Sequence, residues 1–145
     1  MNVCYIAGPY RGDTIQQVEA NIQVAENEAL WWWKNGFAAI CPHLNTRGFE
    51  RIIPDQDIFI NGDLAMVKMC DFIVMLPWWK SSEGAKSEYV RAMMSALIII
   101  DRHQGTGNDD LHVVRGYSSN KYTPNESVVF RAEYGHLFLQ GERIL

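Results

Sequence analysis

The sequence has few cysteines and no long hydrophobic run. Its three cysteines, Cys4, Cys41 and Cys70, are an odd number at wide spacings, which argues against a disulfide framework or a zinc site. Each lies beside an apolar stretch, which is typical of a buried free thiol. No apolar run approaches the ~20 residues that a membrane-spanning helix needs. The first residues lack the charged and apolar segments of a signal peptide, so we expect a cytoplasmic protein.

The sequence also lacks a concentration of basic charge. It has 13 Lys and Arg against 17 Asp and Glu, a formal net charge of -4, and its basic residues are scattered. Duplex nucleic acid requires a basic patch, so we expect a small-molecule ligand and neither a duplex nor a membrane partner. There is no convincing metal-ligand spacing, Walker loop or Gly-x-Ser-x-Gly elbow, and we expect no metal or other cofactor.

The 145 residues, 48% of them hydrophobic, predict a single domain, residues 1–145, with a packed core. Short, continuous apolar runs alternate with amphipathic segments. This pattern is typical of an α/β protein with a mostly parallel sheet covered by helices on both faces. The predicted strands are residues 3–7, 37–41, 72–76 and 97–100, and the predicted helices are residues 13–35, 55–69 and 83–96.

Beyond residue 101 the pattern is less regular. Residues 104–110 resemble a Gly-rich turn, and residues 111–114 could form a short strand, which would bring the sheet to about five strands. Residues 125–137 are predicted to form a helix, whereas the last eight residues favour neither a helix nor a strand.

In a doubly wound sheet, ligands bind beyond the carboxyl ends of the strands. The first loop at that edge carries Gly8, Arg11 and Gly12 directly before a helix. Backbone amides at a helix start favour anions, and an arginine adds a forked donor, so this loop could hold a phosphate or a carboxylate. A Gly-Pro-x-x-Gly turn is also an ordinary connection between a strand and a helix.

A later loop at the same edge leads into the helix that bears Glu88. Ser82 and Gly84 lie near the start of this helix, where its dipole favours anions. Glu88, about one turn inside, is either an acid that suits the helix dipole or a nucleophile aimed at the strand ends. Asp63 lies inside the preceding helix, where Asp has poor propensity, so it either faces water or has a function. Asp71 begins its strand and therefore lies at the opposite edge.

Aromatic residues suggest a surface for a flat ligand. Trp78 and Trp79, with His43 and Tyr5, could line a slot in which a base stacks. Packing in the core or at an interface is the alternative for each tryptophan. Three consecutive tryptophans end the first helix, and Trp33, the last of them, continues its apolar stripe. Such a run fits a helix that faces both the core and a partner.

Three segments share their order and spacing with a known family. They are residues 5–12 (Tyr-Ile-Ala-Gly-Pro-Tyr-Arg-Gly), residues 61–64 (Asn-Gly-Asp-Leu) followed by Asp71, and residues 82–88 (Ser-x-Gly-Ala-x-x-Glu). Over residues 3–100 the chain resembles the nucleoside 2-deoxyribosyltransferase superfamily. The resemblance implies a flavodoxin-like three-layer sandwich and a homodimer or higher homo-oligomer. It also implies Glu88 as nucleophile, Asp63 as its acidic partner and Tyr5 as the residue that orients Glu88.

Within that superfamily, the chain is most similar to the branch that hydrolyses (deoxy)nucleoside 5′-monophosphates. Ser82 stands where base-exchanging transferases tend to carry Asp, and a serine there suits a phosphate. Arg11 and His43 also match this branch. Pro9 departs from it, since the branch can carry Ser at that position. The resemblance implies that Arg11, Ser82 and Gly84 hold a 5′-phosphate.

The favoured hypothesis is therefore hydrolysis of the N-glycosidic bond of a nucleoside 5′-monophosphate. Two alternatives stay open. The same residues could transfer deoxyribose between bases, although the tail has no clear match for the C-terminal Asn of the transferases. The chain could also be a nucleotide-binding module that uses the anion loops and the aromatic slot without turnover.

Overall fold

The computed structural model describes residues 1–102, 112–116, 130–139 and 141–145. Within these ranges, one sheet is formed by β1 (Val3–Ala7), β2 (Ala38–Ile40), β3 (Phe72–Met75), β4 (Ile98–Arg102) and β5 (His112–Gly116). The strand order is β2-β1-β3-β4-β5; the first four strands along the chain are parallel, and β5 runs antiparallel to β4. With helices on both faces, this is the flavodoxin-like α/β fold, so the predicted fold class is confirmed.

The helices are α1 (Ile15–Lys34), α2 (Pro42–Asn45), α3 (Gln56–Val67) and α4 (Glu83–Met94), with 3₁₀ turns at Phe49–Arg51 and Trp79–Ser81. A side chain caps the start of each longer helix by accepting a hydrogen bond from a backbone amide. The capping pairs are Thr14 with Gln17, Asp55 with Asp57, and Ser82 with Ala85. Because these amides have no acceptor inside the helix, the caps set the points at which the helices begin.

Side chains of β1 alternate between two hydrophobic cores, one on each face of the sheet. Cys4 and Ile6 belong to the core beneath α1. Tyr5 and Ala7 belong to the core beneath α3 and α4. The alternation places the hydroxyl of Tyr5, the one polar side chain of this strand besides the Cys4 thiol, on the α4 side of the sheet.

The tryptophans at the end of α1 are divided between core and surface. Trp32 is fully buried and packs edge to face on Phe37 and Phe72, with ring centroids 5.1 and 5.0 Å away. Trp33 was expected in the apolar stripe but is 53% exposed, so that assignment is wrong by one residue. Trp32 takes the buried position instead of Trp33 because its ring fills the space between α1 and the sheet.

A second sheet follows the first. It is antiparallel and consists of β6 (Phe130–Glu133), β7 (His136–Leu139) and β8 (Glu142–Arg143). The predicted helix is therefore wrong over residues 130–137, and its residues 125–129 lie outside the described ranges, as does the predicted turn at 104–110. The turn between β6 and β7 consists of Tyr134 and Gly135, with φ of 49° and 77°. Positive φ at both positions is typical of a tight hairpin.

This small sheet covers the first core beside α1. The side chain of Leu137 is fully buried there, and Ile144 and Leu145 pack against the same cluster. The sheet thus buries apolar surface on the α1 side that this single helix leaves uncovered.

Two glycines in left-handed conformation join the small sheet to the turn between α1 and β2. The amide of Gly135 donates to the carbonyl of Asn35 over 2.7 Å, and the side-chain amide of Asn2 donates to the carbonyl of Gly135 over 3.0 Å. A Cβ on Gly36, whose φ is +85°, would lie 2.7 Å from the nitrogen of Gly135. Neither the conformation nor the space admits a side chain at position 36.

We expect Gly36→Ala to lower the free energy of unfolding by about 3 kcal/mol, because it adds a backbone clash to left-handed strain. Gly141→Ala is the matched control, since Gly141 also has a positive φ of +83° but open space around it. Its cost should be about 1 kcal/mol. Urea denaturation of both variants measures the difference, and equal losses would show that the junction is not closely packed.

Candidate active site

A buried hydrogen bond links β1 to α4. The hydroxyl of Tyr5 donates to Oε1 of Glu88 over 2.7 Å. Tyr5 is fully buried and Glu88 is 7% exposed. Glu88 lies on the buried stripe of α4 with Ala85 and Ala92, three residues after one and four before the other. The small side chains of these alanines take little space, so the carboxyl group of Glu88 can lie against the sheet.

Burial dominates the ionisation of Glu88. It raises the pKa of this carboxyl group from 4.5 to about 8, with a further increase from the charge of Asp63, while the hydrogen bond from Tyr5 acts in the opposite direction. Burial and the negative charge of Glu88 also raise the pKa of Tyr5 well above its ordinary value. Tyr5 therefore stays a hydrogen-bond donor at neutral pH, as the hydroxyl group of an un-ionised phenol.

Asp63, on α3, is the third ionisable residue of the site. It is partly buried, and this burial raises the pKa of its carboxyl group to about 6. Its charge acts on both Glu88 and Tyr5, so the three side chains share one electrostatic environment between β1, α3 and α4. Asp63 is therefore not fully exposed to water, and its charge acts on the two residues that the family resemblance pairs it with.

The backbone at the start of α4 has open space next to it. Ser82 caps the helix by accepting from the amide of Ala85 over 3.2 Å. A Cβ added to Gly84 would meet only the Ser82 hydroxyl oxygen, 3.9 Å away. Packing therefore does not require a glycine at position 84, and its absent side chain leaves room for a ligand to approach the backbone.

Trp78 and Trp79 have different surroundings. Trp79 is 7% exposed; its indole nitrogen donates to Asp101 over 3.2 Å, and its ring stacks on Tyr89 at 4.6 Å. Trp78 is 60% exposed and holds a positive φ of 62°, which a residue with a side chain rarely adopts. Of the two, only Trp78 exposes most of its side chain to solvent, while Trp79 anchors the loop to the core.

The glycines of the first loop have packing roles. A Cβ on Gly8 would lie 2.7 Å from Cβ of Leu76, which follows β3. A Cβ on Gly12 would lie 2.4 Å from Cβ of Gln17. The side chain of Gln17 also accepts from the amide of Asp13 over 2.6 Å, so this amide of the predicted anion loop is already bonded. These contacts favour the interpretation of residues 8–13 as an ordinary connection between a strand and a helix.

Arg11 is the remaining cationic group of that loop. Its side chain is exposed, and Nη2 donates to the amide oxygen of Gln56 over 2.5 Å. Gln56 is the first residue of α3, the helix that bears Asp63. The contact leaves other guanidinium N–H groups that can bind an anion. Sequence reasoning missed Gln56, since 45 residues separate it from Arg11 and no local pattern pairs them.

His43 is a buried histidine with one orphaned nitrogen. It is 4% exposed, and Nε2 donates to the carbonyl of Pro9 over 2.8 Å. Because a carbonyl only accepts, Nδ1 carries the lone pair, and it has no hydrogen-bond partner within the described part of the chain. Burial lowers the pKa of His43, so the ring is neutral at pH 7. It packs edge to face on Tyr10, with ring centroids 5.7 Å apart.

Asp71 lies at the other edge of the sheet, as predicted. Its carboxylate accepts from the amide of Val3 over 2.7 Å, and its own amide donates to the carbonyl of Val3. In the described ranges, no three His, Cys, Asp or Glu side chains are grouped in a way that could hold a metal ion. Nor does any helix of those ranges combine the length and apolar character that crossing a bilayer requires.

Comparison with known proteins identifies one family. Residues 2–101 match the model of a family described as "Domain of unknown function (DUF4406)". The matched segment contains every residue of the candidate site, from Tyr5 to Glu88. No curated protein matches the chain.

We expect stability to fall as pH rises from 6 to 8. In the unfolded chain the carboxyl group of Glu88 is ionised above its ordinary pKa of 4.5, whereas in the folded protein it keeps its proton up to about 8. The folded state thus binds more protons, and its advantage disappears as pH rises towards 8, by about 2 kcal/mol over this interval. Asp63, with a pKa of about 6, is half ionised at the start of the interval and adds only about 0.4 kcal/mol to the change.

Glu88→Gln should remove this pH dependence and be more stable than the native chain at pH 8, because the amide keeps an acceptor for Tyr5 without a charge. Glu83→Gln, at an exposed residue of the same helix, is the control. Urea unfolding between pH 6 and 8 measures all three proteins. The same slope in Glu88→Gln would contradict the assignment.

Proposed function

The chain belongs to the DUF4406 family, and we propose that this member hydrolyses the N-glycosidic bond of a (deoxy)nucleoside 5′-monophosphate, releasing the free base. The observation that carries the proposal is the buried hydrogen bond of 2.7 Å from Tyr5 to Glu88, within the electrostatic reach of Asp63. Two carboxyl groups that share an environment and titrate differently are the requirement of a retaining displacement at an anomeric carbon.

Glu88 is the nucleophile in this mechanism. Its carboxylate attacks the anomeric carbon, the bond to the base breaks, and the base takes a proton from Asp63. Water then attacks the glycosyl-carboxylate, Asp63 accepts a proton from that water, and Glu88 is released. The hydrogen bond from Tyr5 holds the attacking oxygen in place and stabilises its negative charge.

Glu88 and Asp63 together hold the one proton that a catalytic cycle needs, but this proton must move from Glu88 to Asp63. With pKa values of about 8 for Glu88 and about 6 for Asp63, the pair holds about one proton at pH 7, and in the empty site this proton is on Glu88. Catalysis needs it on Asp63. Positive charge that develops on the sugar favours the ionised form of Glu88, so the proton moves as the bond to the base weakens.

Groups on the loops at the carboxyl edge of the sheet support a 5′-monophosphate as substrate. Arg11, on the loop that follows β1, has guanidinium N–H groups besides the one that donates to Gln56, and Gly84 leaves backbone open at the start of α4. Both favour a phosphate, whose binding energy can orient the distant glycosidic bond. The exposed ring of Trp78 offers a surface on which the base stacks, and His43 holds the loop that carries Arg11 through its hydrogen bond to the carbonyl of Pro9.

We also place this activity in the cytoplasm. The cysteines, Cys4, Cys41 and Cys70, are all buried and free, and burial raises the pKa of their thiols. Unpaired thiols of this kind suit a reducing compartment.

We expect Glu88→Gln to reduce base release by about a thousandfold or more, since an amide cannot form the glycosyl ester. The measurement is free base released from a panel of 5′-monophosphates and nucleosides. Glu83→Gln should keep full activity. A fully active Glu88→Gln protein would overturn the mechanism. If a second free base yields a new nucleoside, the reaction is a transfer, and ligand binding without base release would identify a binding module.

Arg11→Ala should raise KM for the monophosphate about 10- to 100-fold and leave the weaker reaction of the nucleoside nearly unchanged, because only the phosphate needs the guanidinium. Arg47→Ala is the matched control, at an exposed arginine that pairs with Glu19 on the surface. Steady-state kinetics on both substrates test this expectation. An equal loss on both substrates would show that Arg11 does not recognise phosphate.

A further inference from the structure

A groove of about 640 Å³ lies beside β2. One wall is the side of α1 that carries Leu30 and Trp33, and the other is formed by β2, by Leu44 of α2 and by Met66 of α3. Among the described strands, β2 pairs only with β1, so the far edge of β2 is open. None of the three residues Tyr5, Asp63 and Glu88 lines the groove, although Met66 lies one turn after Asp63 on α3.

The walls of the groove are apolar and exposed. Leu30 is 51% exposed, Trp33 is 53% exposed and Leu44 is 39% exposed. Among the described residues that line the groove, Glu26 is the one that carries a charge. An exposed tryptophan next to an exposed leucine, beside an unpaired strand edge, marks a surface that another protein covers.

The charges along α1 indicate what that protein is. Glu26, Leu30 and Lys34 are four residues apart and lie along one stripe of the helix. The acid lies one turn before the leucine and the base one turn after it. If two such helices pack antiparallel with their leucines at the centre, each Glu26 lies level with Lys34 of the other copy. The stripe is thus complementary to itself about a two-fold axis.

We propose that the α1 face is a homodimer interface, in which α1 packs antiparallel on α1 of a second copy about a two-fold axis through Leu30. Trp33 of each copy covers the groove between α1 and β2 of the other. Two Glu26–Lys34 pairs flank the apolar centre and set the antiparallel direction, since a parallel pair of helices would oppose like charges. This proposal uses none of the residues of the active site and does not depend on the proposed function.

Charge reversal tests the interface in the full chain. Glu26→Lys opposes two lysines at each end of the interface, and Lys34→Glu opposes two glutamates, so each variant should raise the dimer dissociation constant about tenfold or more. The double variant E26K/K34E restores opposite charges and should return the constant to near the native value. Glu142→Lys makes the same charge change at an exposed residue of β8 and should have no effect.

Sedimentation velocity over a concentration series measures the dissociation constants, and thermal unfolding verifies that each variant folds. A native chain that stays monomeric would overturn the proposal. So would a dimer that neither single variant weakens, or a double variant as weak as the single variants. Leu30→Gln gives a further check without any charge change, because it should dissociate the dimer and leave the monomer folded.

Discussion

The hydrogen bond between Tyr5 and Glu88 is the contact on which the arrangement of the site depends. A carboxyl group withdrawn from water is destabilised by about several kcal/mol unless it is hydrogen-bonded or keeps its proton. Here the hydroxyl of Tyr5 supplies the bond, and it can do so because alternate side chains of β1 face opposite cores. The cap at Ser82 sets where α4 begins, and therefore which of its residues reaches Tyr5.

Continuous apolar runs and capping residues made most of the sheet and the longer helices predictable. The errors have local causes. More than one of the three consecutive tryptophans fits the apolar spacing of the helix. Packing against Phe37 and Phe72 determines that Trp32 is the one in the core. The helix expected over residues 125–137 overlooked Tyr134 and Gly135, whose positive φ makes a hairpin turn. A glycine inside an apolar segment was the available signal.

The family resemblance also paired Tyr5 with Glu88, which the structure joins by a hydrogen bond, but it predicted only part of their surroundings. Glu88 and Asp63 lie on successive longer helices over the same face of a parallel sheet, so topology brings them close. Gly8 and Gly12 fit an anion loop equally well as patterns, and only the folded structure shows that Leu76 and Gln17 exclude a side chain there. Gln56, the partner of Arg11, belongs to a distant element, and such pairings follow from the assembled fold alone.

The junction between Gly36 and Gly135 has a consequence for the kinetics of folding. It joins segments about one hundred residues apart, and the bond from Asn2 to Gly135 spans 133 positions. The entropy lost on closing so long a loop is recovered only after the parallel sheet exists, so the small sheet docks late. We therefore expect its release to uncover the part of the first core around Leu137 while β1 to β4 remain paired.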